Sequence, residues 1–248
     1  MPDHSVTGRP PGRGLGPWWA VPLVILGVAL GITAGVWQLH RAAEKRDILA
    51  RFATAGAADA LQRLVSGDDA GELRYRMVNA TGRYDTAHQV LLDNMSDAGR
   101  PGYQVLTPLQ TPDGAVLVNR GWVPANGDRQ VLPDTGVGGG IRQVLGRIDR
   151  LPRPGIALTT PAPPPQAPWP RRLLFPTTAE ISAQLGIPLR DYQLLLDPVA
   201  PDGYVRDWHP GGMTPDRHLA YAVQWFGLAL TVVVIYVVLV LRNRKQTS

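Results

Sequence analysis

Hydrophobic positions in this chain are gathered at its two ends. Pro17 to Leu39 runs for 23 residues without a formal charge, and Leu219 to Leu241 is a second uncharged run of 23. At about 1.5 Å rise per residue each spans roughly 34 Å as a helix, enough to cross a hydrocarbon core of about 30 Å. Both are read as transmembrane helices. The first is an uncleaved anchor: it outruns the apolar core of a signal peptide, Arg41, Lys45 and Arg46 follow it, and no Ala-x-Ala site stands just beyond. Trp18 and Trp19 at one end and Trp37 at the other match interfacial aromatic belts. Gly27, Gly31 and Gly35 form a doubled G-x-x-x-G, a stripe that lets another helix approach the backbone. The expected partner is the second span, through Ala222, Gly227 and Ala229, with a helix of another protein as the alternative.

Between the runs the period changes. Residues 41–66 lack proline and mix charges with alanine, which predicts that the first helix continues out of the membrane. Tyr75–Tyr84, Gln89–Asn94, Tyr103–Gln110, Ala115–Asn119, Ile141–Ile148 and Tyr192–Asp197 are short segments rich in Val, Leu, Ile and Tyr, separated by turn-formers such as Gly99-Arg100-Pro101-Gly102, Asp113-Gly114 and Asn126-Gly127. Such spacing predicts an antiparallel sheet or small barrel, with a hairpin at Asp113-Gly114. Thr177-x-x-Glu180 is a capping box, and Gly186 with Pro188 closes a short helix over 178–185. Residues 152–170 hold eight prolines and predict an extended, polyproline-like surface loop. The fold class is therefore an α+β membrane protein: two transmembrane helices, about 17–39 and 219–241, flank a mainly antiparallel β domain over 40–218 on the extracytoplasmic side. A disordered cytoplasmic tail, 1–16, and a basic one, 242–248, complete the layout.

Mean hydropathy of -0.07 would suit a soluble protein, but it averages two apolar ends with a polar middle. The net charge of +5 and pI near 9.9 are likewise local. Arg9, Arg13, Arg242, Arg244 and Lys245 against Asp3 account for +4, leaving +1 for residues 17–241. A nucleic-acid partner needs a basic face on the folded domain, so none is expected; the tails suit a membrane surface, with the lipid bilayer as partner. The charge after the second span favours a cytoplasmic C-terminus, whereas the flanks of the first span favour the reverse orientation. Cysteine is absent, which excludes disulfides, Cys-ligated zinc, iron–sulfur clusters, thiol redox chemistry and Cys-pair copper sites.

Gly35-Val36-Trp37-Gln38-Leu39-His40-Arg41 resembles the end of the first span in the surfeit locus protein 1 family, the cytochrome c oxidase assembly factors. Gly102-Tyr103-Gln104-Val105-Leu106-Thr107-Pro108-Leu109 and Leu117-Val118-Asn119-Arg120-Gly121-Trp122-Val123-Pro124 resemble its middle. Trp208-x-Pro210 and Met213-x-Pro215-x-Arg217-His218-Leu219-Ala220-Tyr221-Ala222-Val223-Gln224-Trp225-Phe226 resemble its end. The blocks keep the family's order from residue 35 to 226. The resemblance implies a bacterial inner-membrane, multi-pass protein with its domain on the periplasmic side, and a non-enzymatic role in maturing oxidase subunit I. For some bacterial members it implies heme a binding. Subunit I and heme A synthase are the partners that follow.

His40 directly follows the first run and His218 directly precedes the second, so a helical hairpin places them at similar depth. Imidazole is a usual axial ligand of heme iron, which makes His218 the first candidate metal ligand and His40 the second. Arg41 and Arg217 match heme propionates, and Tyr221, Trp225 and Trp37 suit the porphyrin sides. The competing reading is that His, Trp and Arg gather at membrane interfaces as anchors. Asn119-Arg120-Gly121-Trp122 reads as a strand end packed by Trp122, or as a docking surface carried by Arg120 and Trp122. His209 is a weak metal candidate. An envelope hydrolase is disfavoured: of the five histidines only His88 and His209 lie inside the domain away from its membrane boundaries, and no G-x-S-x-G occurs. The runner-up is a permanent accessory subunit of the oxidase without cofactor.

Overall fold

The computed structural model describes residues 20–57, 60–65, 69–153, 163–164 and 166–245. The expectations for the 1–16 tail, for Trp18 and Trp19, and for most of the proline tract lie outside the described residues. The chain divides into two compact units, Met1–Leu49 with Gly211–Ser248, and Ala50–Pro210.

The first unit is helical, and its first helix runs on past Leu49 into the second unit. Helix α1 is Ala20–Ala57, with Pro22 in its first turn, where a missing N–H costs nothing. Its continuation to Ala57 carries it 18 residues past Leu39. Helix α3 is Pro215–Lys245. Proline at the first helical position is pre-set for the helix, and Arg242, Arg244 and Lys245 in the last turn oppose the negative end of its dipole.

The second unit is a sheet. Strands β1 (Met77–Tyr84), β2 (Val90–Asp97), β3 (Arg100–Thr111), β4 (Gly114–Pro124), β5 (Ile141–Asp149), β6 (Arg171–Leu173) and β7 (Leu189–Leu196) follow, with helix α2 (Thr178–Leu185) between the last two. All six strands expected from the sequence are present. The seventh, β6, is only three residues long beside the proline tract, too short for a periodic signal. The order is β1-β5-β7-β4-β3-β2-β6, and β1 also pairs with β3. That last pairing, Arg83↔Gln110 and Tyr84↔Leu109, closes β1, β5, β7, β4 and β3 into a small barrel. Pairing is antiparallel except for β4 with β7 and β2 with β6.

Alternate residues of the five barrel strands fill its interior: Val78, Ala80 and Tyr84 of β1, Leu109 of β3, Val116 and Val118 of β4, Val144 and Ile148 of β5, and Tyr192, Leu194 and Leu196 of β7. This period of two is what a pleated strand imposes. A second cluster, Val90, Leu92, Leu106 and Leu117, is covered by Leu173 and by Ile181 of α2. Helix α2 has the expected ends. The Thr177 hydroxyl accepts from Glu180 N–H at 3.1 Å, Glu180 Oε2 accepts from Thr177 N–H at 2.7 Å, and Gly186 N–H donates to Ser182 O.

Two turns differ from their sequence expectation by small shifts. The β2–β3 loop is Ala98-Gly99, between paired Asp97 and Arg100, with φ of 47° and 77°. Positive φ at both positions gives the turn whose twist matches a hairpin. The β3–β4 loop is Pro112-Asp113 rather than Asp113-Gly114, since Thr111 pairs with Gly114. Strand β4 does not end at Asn119. It continues to Pro124 through a bulge between Asn119 and Trp122.

Barrel closure leaves no room beside Gly82, where an added Cβ would collide with the Gln110 carbonyl. That carbonyl belongs to the closing pair and has no freedom to retreat. Gly82→Val should therefore lower stability by about 1–3 kcal/mol, read as a lower urea midpoint for the full chain in detergent; an unchanged midpoint would show that β1–β3 closure contributes little.

Candidate functional site

Helices α1 and α3 run antiparallel along a stripe of small residues. An added Cβ at Gly27 would lie 3.8 Å from Val232 Cγ1. At Gly31 it would lie 2.9 Å from Ala229 Cβ and 3.0 Å from Trp225 O, and at Gly35 it would enter the Phe226 ring. Ala222 and Ala229 are buried, as are Gly31, Gly35 and Ala42. Gly227 meets nothing and is exposed, so it takes no part in this contact. Only 11% of the apolar stretch of α1 and 6% of that of α3 is buried, far less than for core helices of a soluble protein. Leu23, Ile25, Leu26 and Leu30 of α1 and Val223, Leu228, Leu230 and Val234 of α3 are exposed. The two helices mark a membrane-associated chain.

At the polar end of this stripe lies a buried hydrogen bond. His218 is 8% exposed and Gln38 is 9% exposed. His218 Nδ1 lies 2.7 Å from Gln38 Oε1. A carbonyl oxygen only accepts, so this contact is a hydrogen bond when Nδ1 carries the proton, which in the neutral ring leaves the lone pair on Nε2. Among the described residues no hydrogen bond reaches Nε2. An imidazole held in this way is able to ligate a metal or accept a proton.

The other candidates are placed differently. His40 is exposed and lies two residues beyond Gln38, about 200° around the helix. The residue facing His218 is therefore Gln38, not His40. Trp37 is 53% exposed, with Arg41 5.7 Å over its ring, and Arg41 donates to Glu44 at 2.7 Å. Arg217 and Tyr221 are exposed and Trp225 is half-buried. Gln38 escaped the sequence reading, although a signal existed. It is the one polar residue on the Gly27–Gly31–Gly35–Ala42 face of α1, at helical spacing from Gly35.

Arg120 and Trp122 are buried, and the structure corrects the docking reading. Arg120 is 2% exposed. It donates to Asp202 O at 2.7 Å, Thr135 O at 2.9 Å, Gly136 O at 3.3 Å and Gln89 Oε1 at 3.4 Å, with Tyr204 and Tyr84 against its guanidinium. No carboxylate reaches it among the described residues. Burial pushes the Tyr84 hydroxyl up to about 12, opposed by Arg120, so this ring stays neutral. Arg120 is thus a clasp that ties the 135–136 and 202–204 segments to β4. Trp122 Nε1 donates to Met95 O at 3.3 Å, under Arg100. Gly121, at φ 112°, lets Val205 O approach to 2.6 Å of where a Cβ would stand.

Elsewhere in the domain, two open hollows of about 270 and 260 Å³ carry no histidine on their walls. Among the described residues, no three His, Asp or Glu side chains converge as a metal site. His88 is held by Asp85 at 2.8 Å against the edge of Trp169. His209 is exposed.

The model of the SURF1 family matches residues 25–230, which include most of α1, the whole barrel and half of α3. A SURF1-like protein of Rickettsia felis is 26% identical over 233 residues, covering 87% of this chain and 94% of that protein. One of Rickettsia conorii is 27% identical over 228 residues, covering 87% and 89%. One of Dictyostelium discoideum is 31% identical over 105 residues, 38% of each chain.

The helix contact has a direct check, since the chain has no cysteine of its own. Cysteines replacing Gln38 and His218 should crosslink readily. Adding Gly31→Leu should cut that crosslinking severalfold by forcing the backbones apart. Equal crosslinking with and without Gly31→Leu would mean that α1 packs through another face.

Proposed function

This chain belongs to the SURF1 family, in general the cytochrome c oxidase assembly factors, and from that premise we propose that it assists maturation of subunit I of an aa3-type oxidase by holding heme a, as cargo, at the α1–α3 pair. The observation that carries the heme part is the buried His218, whose Nδ1 lies 2.7 Å from Gln38 Oε1 while no hydrogen bond among the described residues reaches Nε2. A tautomer fixed by a second-shell acceptor is the arrangement a ligating imidazole needs. Arg217, exposed beside it, suits a propionate, and Tyr221 and Trp225 lie one and two turns along the same helix. Heme a, when bound, is the redox group destined for the oxidase; the chain's own part is to ligate and orient it. His40, on the far side of α1 from Gln38, drops out of this ligand set, and Arg41 is already engaged by Glu44.

The same reading makes the protein a multi-pass component of a bacterial inner membrane, with both tails cytoplasmic and the barrel on the periplasmic side. The two apolar helices and the basic end of α3 support it. Its partners are subunit I and heme A synthase. Reporters fused at Arg9 and at Lys245 should then read cytoplasmic, and one within 152–170 should read external. An external C-terminal reporter would overturn the topology.

Deleting the protein should lower assembled aa3-type oxidase and spare oxidases that lack heme a. In membrane spectra the a-type signal should fall while b- and c-type signals persist. His218→Ala at normal expression should reproduce much of that loss, whereas His88→Ala should do little. A full a-type spectrum with normal oxidase turnover in the deletion strain would remove the assembly reading. A normal His218→Ala strain would remove only the ligand role.

A further inference from the structure

We propose that Gln38 is a positioning residue: it holds the His218 imidazole in the Nδ1–H tautomer and so keeps Nε2 as the lone-pair nitrogen. The importance of that nitrogen for heme rests on the functional reading above. The tautomer itself is a property of the protein alone.

Several features of the site bear on this. Neutral imidazole free in water favours the opposite tautomer, with the proton on Nε2. Something must therefore hold the proton on Nδ1, and among the described residues the group within hydrogen-bonding distance of that atom is Gln38 Oε1, at 2.7 Å. Both side chains are buried between helices whose outer faces are apolar, where an unpaired polar group is costly and each partner restrains the other. The amide cannot readily withdraw. Gly31 and Gly35 bring the α1 backbone against Ala229, Trp225 O and Phe226, and Gln38 stands on the same face one turn beyond Gly35. Nδ1 also lies next to the branch to Cβ, so it is the more hindered nitrogen for any bulky ligand. A site that is to bind through imidazole needs Nε2 bare, and Gln38 leaves it so.

The chemistry sets Gln38 apart from a residue that merely fills space. Leucine at position 38 occupies similar volume and offers no acceptor. Glutamate keeps an acceptor oxygen at the same reach. A packing role would be served by leucine and disturbed by the new charge of glutamate; a tautomer-holding role predicts the reverse order.

The test is nitrogen NMR of the full chain, labelled with ¹⁵N-histidine, in detergent or nanodiscs without heme. The His218 signals are assigned by their loss in His218→Ala. The wild type should show a protonated, pyrrole-like Nδ1 and a bare, pyridine-like Nε2. Gln38→Leu should invert or average that pattern, and Gln38→Glu should retain it. A wild type with the proton on Nε2 overturns the inference, as does a Gln38→Leu spectrum identical to the wild type. Because the wild-type spectrum is decisive by itself, the inference survives misfolding of any one variant. Titration with heme a then separates this inference from the functional reading. Gln38→Leu should bind about tenfold or more weakly and Gln38→Glu near the wild type. The expected NMR pattern in a wild-type chain that binds no heme a would support the tautomer assignment while removing the heme reading.

Discussion

The helix pair depends on how closely two backbones meet at Gly31 and Gly35. Lipid gives no hydrophobic drive for helices to associate, so contact rests on van der Waals packing and a few interhelical hydrogen bonds. Both require short distances, and any side chain at Gly31 would meet Ala229 Cβ or Trp225 O first. Once this register is set, its consequences run along the stripe. Gln38 lies about two turns along α1 from Gly31, and His218 about three turns before Ala229 on α3. Both stay on the contact face, and they meet at 2.7 Å. The steric economy of glycine in the apolar region thus determines which polar groups pair at its end.

Two buried polar side chains, Arg120 and His218, illustrate different uses of burial. Arg120 places four N–H groups on oxygens and its face against two rings. A buried guanidinium with four of its five N–H groups so engaged serves to join loops to β4. Among the described residues, His218 has a hydrogen-bond partner at one nitrogen only. Burial with a spare lone pair is what distinguishes a group with available chemistry from one that holds the fold together.

Much of the fold was legible because its signals are local. Uninterrupted apolar runs marked α1 and α3, short Val-, Leu-, Ile- and Tyr-rich segments between turn-formers marked six strands, and the Thr177–Glu180 box marked α2 with its correct ends. What local reading missed depends on long-range geometry. Closure of the barrel by Arg83↔Gln110 has no counterpart in any single strand, and β6 exists only because β2 offers an edge beside it. The β4 bulge needs Val205, some eighty residues away, to explain Gly121. At the site, adjacency in sequence paired the two histidines that border the apolar runs. Helical phase decides otherwise, because two residues along α1 turn a side chain to the opposite face. The Arg120–Trp122 pair shows the same limit from the other side: residue types common at interfaces are also those that fill and clasp a core.

On the proposed reading, a one-histidine site fits a carrier better than a permanent holder. A second histidine able to hold the group would raise affinity and slow release, whereas transfer requires that the donor bind less tightly than the recipient. The outward faces of α1 and α3 are apolar and exposed among the described residues, so a flat apolar group has a lateral route that does not require the helices to separate. The glycine contact then remains intact through loading and release. The Gln38 hydrogen bond remains with it, leaving the imidazole oriented when the site is empty and avoiding the cost of reorienting it at each cycle.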